Sequence, residues 1–99
     1  SLLIAGVDGN PRLFVTEPSG IYFEYKATAI GEKSSEVIKF LEKNYKDGMT
    51  RSQALKLGLD ALKNALKNNF EEDKLDIGII DKELRTFKRY TIAEAKKLK

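Results

Sequence analysis

Ninety-nine residues, 41% hydrophobic and 33% charged, have the composition of a single small globular domain, which excludes a disordered chain and a membrane protein. Cys and His are both absent, which removes disulfides, thiol nucleophiles, imidazole or thiolate metal sites and any His-dependent triad. The net charge of +3 is too small to define a nucleic-acid binder, and no apolar run approaches the ~20 residues of a spanning helix or follows a signal-peptide pattern.

The first thirty residues read as strands and turns. Leu2-Leu3-Ile4-Ala5-Gly6-Val7 is near-continuously apolar, as a strand buried on both faces would be. Asp8-Gly9-Asn10-Pro11 supplies turn chemistry, and Arg12 to Thr16 returns as a second strand, so a hairpin is the simplest local solution. Glu17-Pro18-Ser19-Gly20 breaks that strand. Ile21 to Ile30 resumes the β pattern, with Ile21, Phe23 and Tyr25 on one face and Tyr22, Glu24 and Lys26 on the other, and Gly31 ends it.

Two helices are predicted next. Val37, Phe40, Leu41 and Tyr45 form one apolar stripe; Ser34 or Ser35 is the expected cap, Asp47-Gly48 the expected stop, and Glu42 with Lys46 an i,i+4 pair. Thr50-Arg51-Ser52-Gln53 is a capping box. The stripe behind it is Leu55, Leu59, Leu62 and Leu66, widened by Ala54, Gly58, Ala61 and Ala65, with Lys56, Asp60, Lys63 and Lys67 opposite. Small residues beside the leucines predict close approach of a second element. Asn68 to Lys74 is a polar link, Leu75 to Ile80 a strand, Asp81 to Arg85 a turn, and Thr86 to Tyr90 a returning strand. A second capping box, Thr91-Ile92-Ala93-Glu94, opens a short final helix. Strands cluster ahead of helices, so the expected class is α+β with mainly antiparallel pairing, two long helices and a short C-terminal one.

The basic excess gathers at the end, in Arg85, Lys88, Arg89, Lys96, Lys97 and Lys99 against Glu94. No aromatic pattern interleaves with it, so a solvated terminal surface is the expectation, with neither nucleic acid nor membrane as partner.

Several stretches together resemble a known family. Ala5-Gly6-Val7-Asp8 with Pro11-Arg12-Leu13-Phe14 is one. Pro18-Ser19-Gly20 followed by Tyr25-Lys26-Ala27-Thr28-Ala29-Ile30-Gly31 is the most specific. Asp60-Ala61-Leu62, the Leu75 to Ile80 strand and Arg85-Thr86-Phe87-Lys88 agree in position. The chain is similar in these to the C-terminal half of archaeal-type proteasome α subunits. The resemblance implies part of a four-layer αββα sandwich of the N-terminal-nucleophile hydrolase kind, a single partial domain over 1–99, divided into strands 1–31, helices 33–68, strands 75–90 and helix 91–98. It departs from the family's pattern in a shorter first hairpin with Asn10 before Pro11, and in Glu17 where Asp usually precedes Pro-Ser-Gly.

What the resemblance implies about function is structural. An α-type subunit is non-catalytic and cytoplasmic, builds the outer ring of the core particle with other α and β subunits, and helps control substrate access. Asp8, Pro11, Pro18, Ser19, Gly20, Lys26, Thr28 and Gly31 are its signature positions here, with turn and strand-to-helix roles; catalytic, cofactor and metal residues are expected to be none. The activator-binding pocket and gate belong to the family's N-terminal half. An exposed sheet is expected to pair with that half or with itself. The alternative class is a stand-alone α+β interaction module.

Three chemical readings compete with this. Ser1 as an N-terminal nucleophile needs the tip of the family's first strand, whereas the resemblance puts it at an internal strand. Glu71-Glu72-Asp73 offers oxygen ligands but lacks the spacing and Gly of a Ca²⁺ loop. Asp8 and Glu17 flank a hairpin and would have to converge to act as paired carboxylates; turn capping is the simpler role.

Overall fold

A computed structural model describes residues 1–98. The order is β1 (Leu2–Asp8), β2 (Asn10–Thr16), β3 (Tyr22–Tyr25), α1 (Ser34–Asn44), α2 (Arg51–Leu66), β4 (Ile77–Ile80), β5 (Phe87–Tyr90) and α3 (Ile92–Lys96), with 3-10 turns at Lys67–Asn69 and Glu72–Lys74. This is the expected α+β class. The strands form two separate antiparallel sheets, β1-β2-β3 and β4-β5.

The first hairpin is tighter than a four-residue turn. Asp8 pairs with Asn10 and only Gly9, at φ 74, lies between them. A residue with a Cβ is disfavoured in that left-handed conformation. Pro11 therefore falls inside β2, opposite Val7. β3 pairs only with Leu13 to Thr16, so the N–H that proline lacks is not needed by a neighbour on that side.

β3 ends at Tyr25, five residues before the expected end at Ile30. Two contacts explain this. Lys26 leaves the sheet to bind Asp47, Nζ to Oδ1 at 2.8 Å, and Ala27 and Ala29 pack against the helix pair. Residues 27–29 thus belong to the helical core.

The α1 cap also differs from expectation. Lys33, at φ 65, is the N-cap, and its carbonyl accepts from Val37 N–H at 3.2 Å. Ser34 and Ser35 are consequently the first helical residues, past the position from which a side chain caps. The helix ends at Asn44, whose Nδ2 donates to the Phe40 carbonyl at 2.8 Å, and Tyr45 is already extended. Lys46 lies beyond the helix, so the Glu42–Lys46 pair has no helical register to form in. Asp47-Gly48 makes the link to α2, with Gly48 at φ 80.

Both capping boxes form as predicted. Thr50 accepts from Gln53 N–H while Gln53 Oε1 accepts from Thr50 N–H, and Thr91 and Glu94 repeat the arrangement. Each satisfies two of the donors that a helix start leaves unpaired. Thr50→Ala is expected to cost about 1 kcal/mol of stability, read as a lower urea midpoint with an unchanged slope.

The core is small. Val37 and Leu41 of α1 meet Ala61 and Ala65 of α2, with Phe40, Leu57 and Leu62 around them. The α2 stripe is thereby split: Ala61 and Ala65 face α1, whereas Leu55 and Leu59 flank Ala95 and Leu98 of the C-terminal segment. The β4-β5 turn is held by Asp81. Its Oδ1 accepts from Glu83 and Leu84 N–H at 2.8 and 3.1 Å, and its Oδ2 accepts from Arg51 at 3.2 Å. Phe87 lies across Gly78, where an added Cβ would meet its ring at 2.5 Å.

Candidate functional site

The ladder registers put Leu3, Ala5, Val7, Leu13, Val15, Phe23 and Tyr25 on one face of the first sheet. Of these only Val15 is buried. Leu2, Ile4, Tyr22 and Phe87 are also exposed. Sequence patterning indicates which residues want burial; the structure shows that this sheet does not obtain it.

Two open grooves follow. One, of about 610 Å³, runs between the helix pair and β4 and is lined by Leu13, Ala27, Leu41, Leu59, Ile77 and Ile79 among others. The other, of about 900 Å³, lies between the sheet and the β4-β5 hairpin, with Leu3, Ala5, Leu13, Ile80 and Phe87 inside it. Ion pairs stand along the second groove. Arg12 makes two bonds to Glu24, at 3.0 and 3.1 Å, and also covers the Phe14 ring at 4.9 Å. Lys26–Asp47 is the other. The alternation of β2 and β3 was the only sequence signal for Arg12 with Glu24, which lie diagonally across those strands.

The extent of the exposed surface is measurable. The chain exposes 7612 Å², where a closed monomer of 11.2 kDa exposes about 5,700 Å². Its radius of gyration, 13.7 Å, exceeds the ~12.6 Å of a compact chain of this length. The candidate site is therefore an assembly surface.

The signature positions distribute along it. Asp8 and Pro11 bracket the first hairpin. Pro18, Ser19 and Gly20 form a turn closed by backbone bonds, Gly20 N–H to Glu17 O at 2.9 Å and Glu17 N–H to Ile21 O at 2.7 Å, with Gly20 at φ 93. Lys26 joins the sheet to the α1–α2 link. Thr28 lines the groove beside the helices, and Gly31, at φ 96, accepts from Ser34 N–H just before α1.

The competing chemical sites are not assembled. Asp8 and Glu17 stand at opposite ends of β2, about 24 Å apart by strand rise, so the paired-carboxylate reading is overturned. Glu71 and Glu72 bind Lys74 and Lys96, each at 2.6 Å; among the described residues no three ligating side chains gather as a metal site would need. Ser1 is exposed just ahead of β1. In the basic tail, Arg89 pairs with Asp76 and Lys88 covers the Tyr90 ring; Lys99 lies outside the described residues. Among those residues no helix is long and apolar enough to cross a membrane.

The charge network fixes a pH dependence. Hydrogen bonds from Arg12, Lys26 and Lys96 hold the Glu24, Asp47 and Glu72 carboxyls below their ordinary range. Backbone N–H groups, of Leu84 and Glu83 for Asp81 and of Thr91 for Glu94, hold those two low as well. A carboxyl with a lowered folded pKa stabilises the fold above its unfolded pKa and loses that contribution as pH falls through the folded one. With no His to titrate, the thermal midpoint is expected to be flat from roughly pH 6 to 9 and to fall below about pH 5. Asp81→Asn should flatten that acid limb; an unchanged limb would show that Asp81 contributes nothing.

A protein whose exposed sheet and paired helices await further layers is an assembly component. A family model described as Proteasome subunit matches residues 1–80, and the chain belongs to that family. Within it the chain is similar to "Proteasome subunit alpha" of Methanosarcina acetivorans, 44% identical over 90 residues that make up 90% of this chain and 36% of that protein. The protein of the same name from Archaeoglobus fulgidus is 42% identical over 96 residues, 97% of this chain and 39% of its own length. That of Methanocaldococcus jannaschii is 44% identical over 99 residues, 99% and 38%. The chain thus spans about two-fifths of the curated relatives it matches, less than the half expected from the sequence.

Proposed function

We propose that this chain acts as the C-terminal part of a proteasome α-type subunit, a non-catalytic structural element of the core particle's outer ring that supports ring assembly and gated substrate access. The observation that carries this reading is the family match over residues 1–80 with α-type relatives. The open sheet face agrees with it, because a subunit layer needs a second layer to bury it. Its partners in this reading are other α and β subunits and the polypeptide that supplies the remaining three-fifths of a subunit; nucleic acid and membrane are not partners. The setting is the cytoplasm. Asp8, Pro11, Pro18, Ser19, Gly20, Lys26, Thr28 and Gly31 then act by fixing turns and by joining the sheet to the helices.

The test is reconstitution. The chain is mixed with a polypeptide equivalent to the first three-fifths of the Methanosarcina acetivorans relative, and native mass is measured with and without that species' β subunit. A ring-sized species that needs both halves is the expected result. A monomer indifferent to the complement at every concentration would favour a stand-alone module and sink the proposal.

A further inference from the structure

Four sheet edges lack a pairing partner among the described residues, and they are unequally protected. β5 carries Lys88 and Arg89, β3 has four residues with Glu24 among them, and β4 has four with Gly78. β1 has seven residues, with no Lys and no Pro, and a single charge, Asp8, at its end. Its register with β2 runs unbroken from Leu2 to Asp8, so no bulge twists the edge away. Every ordinary device that blocks edge pairing is missing from this strand.

We infer that a second copy of this chain occupies that edge when no complementing segment is present, β1 pairing antiparallel with β1 about a two-fold axis through Ala5. This rests on the reading of the open sheet as an assembly surface. With Ala5 on the axis, Leu2 faces Asp8 of the second copy, Leu3 faces Val7, and Ile4 faces Gly6. The two Asp8 carboxylates lie at opposite ends of the paired strands, whereas a parallel arrangement would set them side by side. Leu3, Ala5 and Val7 share the face that carries Leu13 and Val15, so the apolar surface becomes continuous across six strands.

The area available is sufficient. Each copy exposes about 1,900 Å² more than a closed monomer of its mass. Two copies together can therefore commit up to about 3,800 Å², within the 2,000–5,000 Å² of obligate homodimers. The contact is isologous and closes on itself, so it ends at a dimer.

The Cys-free sequence makes the test direct. Sedimentation of the unmodified chain across roughly 1–100 µM is expected to show a dimer. Ala5→Cys is expected to give a disulfide-linked dimer as the main oxidised product, since directly opposed Cα atoms lie about 4.5–5.5 Å apart, within disulfide reach. Tyr22→Cys, on the β3 edge, should cross-link poorly. Ile4→Lys should weaken association at least about tenfold, with far-UV circular dichroism reporting whether it still folds; if it does not, the Ala5→Cys product decides. A dimer linked through Tyr22 in place of Ala5 overturns the inference. So does a monomer at all concentrations, although one that still binds the complementing polypeptide leaves the assembly reading intact. Displacement of an Ala5-linked register by that polypeptide, seen as loss of cross-linking, supports both.

Discussion

Ala61→Leu is expected to lower the unfolding free energy by about 1–3 kcal/mol, the usual cost of forcing methylenes into a packed seam. Ala61 is 1% exposed and Ala65 3%, the tightest positions between α1 and α2. Their methyl groups let Val37 and Leu41 approach the α2 backbone closely. A leucine at 61 must either leave its rotamer or push the helices apart, and separation also uncovers Leu41. With no other large side chain fully buried, there is little compensating packing elsewhere. Lys39→Leu, on the exposed side of α1, should stay within about 0.5 kcal/mol of the parent. Urea denaturation of both variants checks the contrast. Equal midpoints would mean that the helices do not close-pack at Ala61.

That seam was legible in part. Alternation of leucines with small residues over 54–66 predicts a helix that something approaches closely, and α2 has α1 there. The capping boxes at Thr50 and Thr91 were fully legible, because a cap is local chemistry: four residues contain both donors and both acceptors. The end of β3 was not. The run from Ile21 to Ile30 keeps a strand-like composition, yet Lys26 turns away because Asp47, 21 residues later, binds it. The Lys33 cap was hidden for a related reason. Two serines are the better caps in isolation, but the left-handed turn through Gly31 and Lys33 starts the helix ahead of them. Local rules lose where a tertiary contact sets the path of the chain.

The candidate site shows the same division. Period-two alternation identified Phe23 and Tyr25 as one face, and pairing with Leu13 and Val15 bears this out. No pattern within 99 residues reports whether that face is covered, because coverage depends on area supplied from outside the strands. The resemblance implied a missing layer, and the excess surface gives its size.

Leu13→Asp is the substitution that separates folding from assembly. Leu13 sits in the ladder opposite Ala5 and Tyr25 and lines both grooves. It is half-exposed in the isolated chain, so an aspartate there keeps much of its hydration. The unfolding free energy of the chain alone should fall by no more than about 1 kcal/mol. Once a complementing layer covers the grooves, the same carboxylate is desolvated without a partner, and such burial costs several kcal/mol. Binding of the complementing polypeptide should weaken at least about 100-fold, a loss of roughly 2.7 kcal/mol or more. Arg12 does not offset this, because Glu24 already holds its guanidinium through two bonds. Titration calorimetry with the complement, beside urea denaturation of the chain alone, measures the two effects separately. A variant that unfolds readily yet binds the complement with parental affinity would place Leu13 in the fold's own core and remove the grooves from the assembly surface.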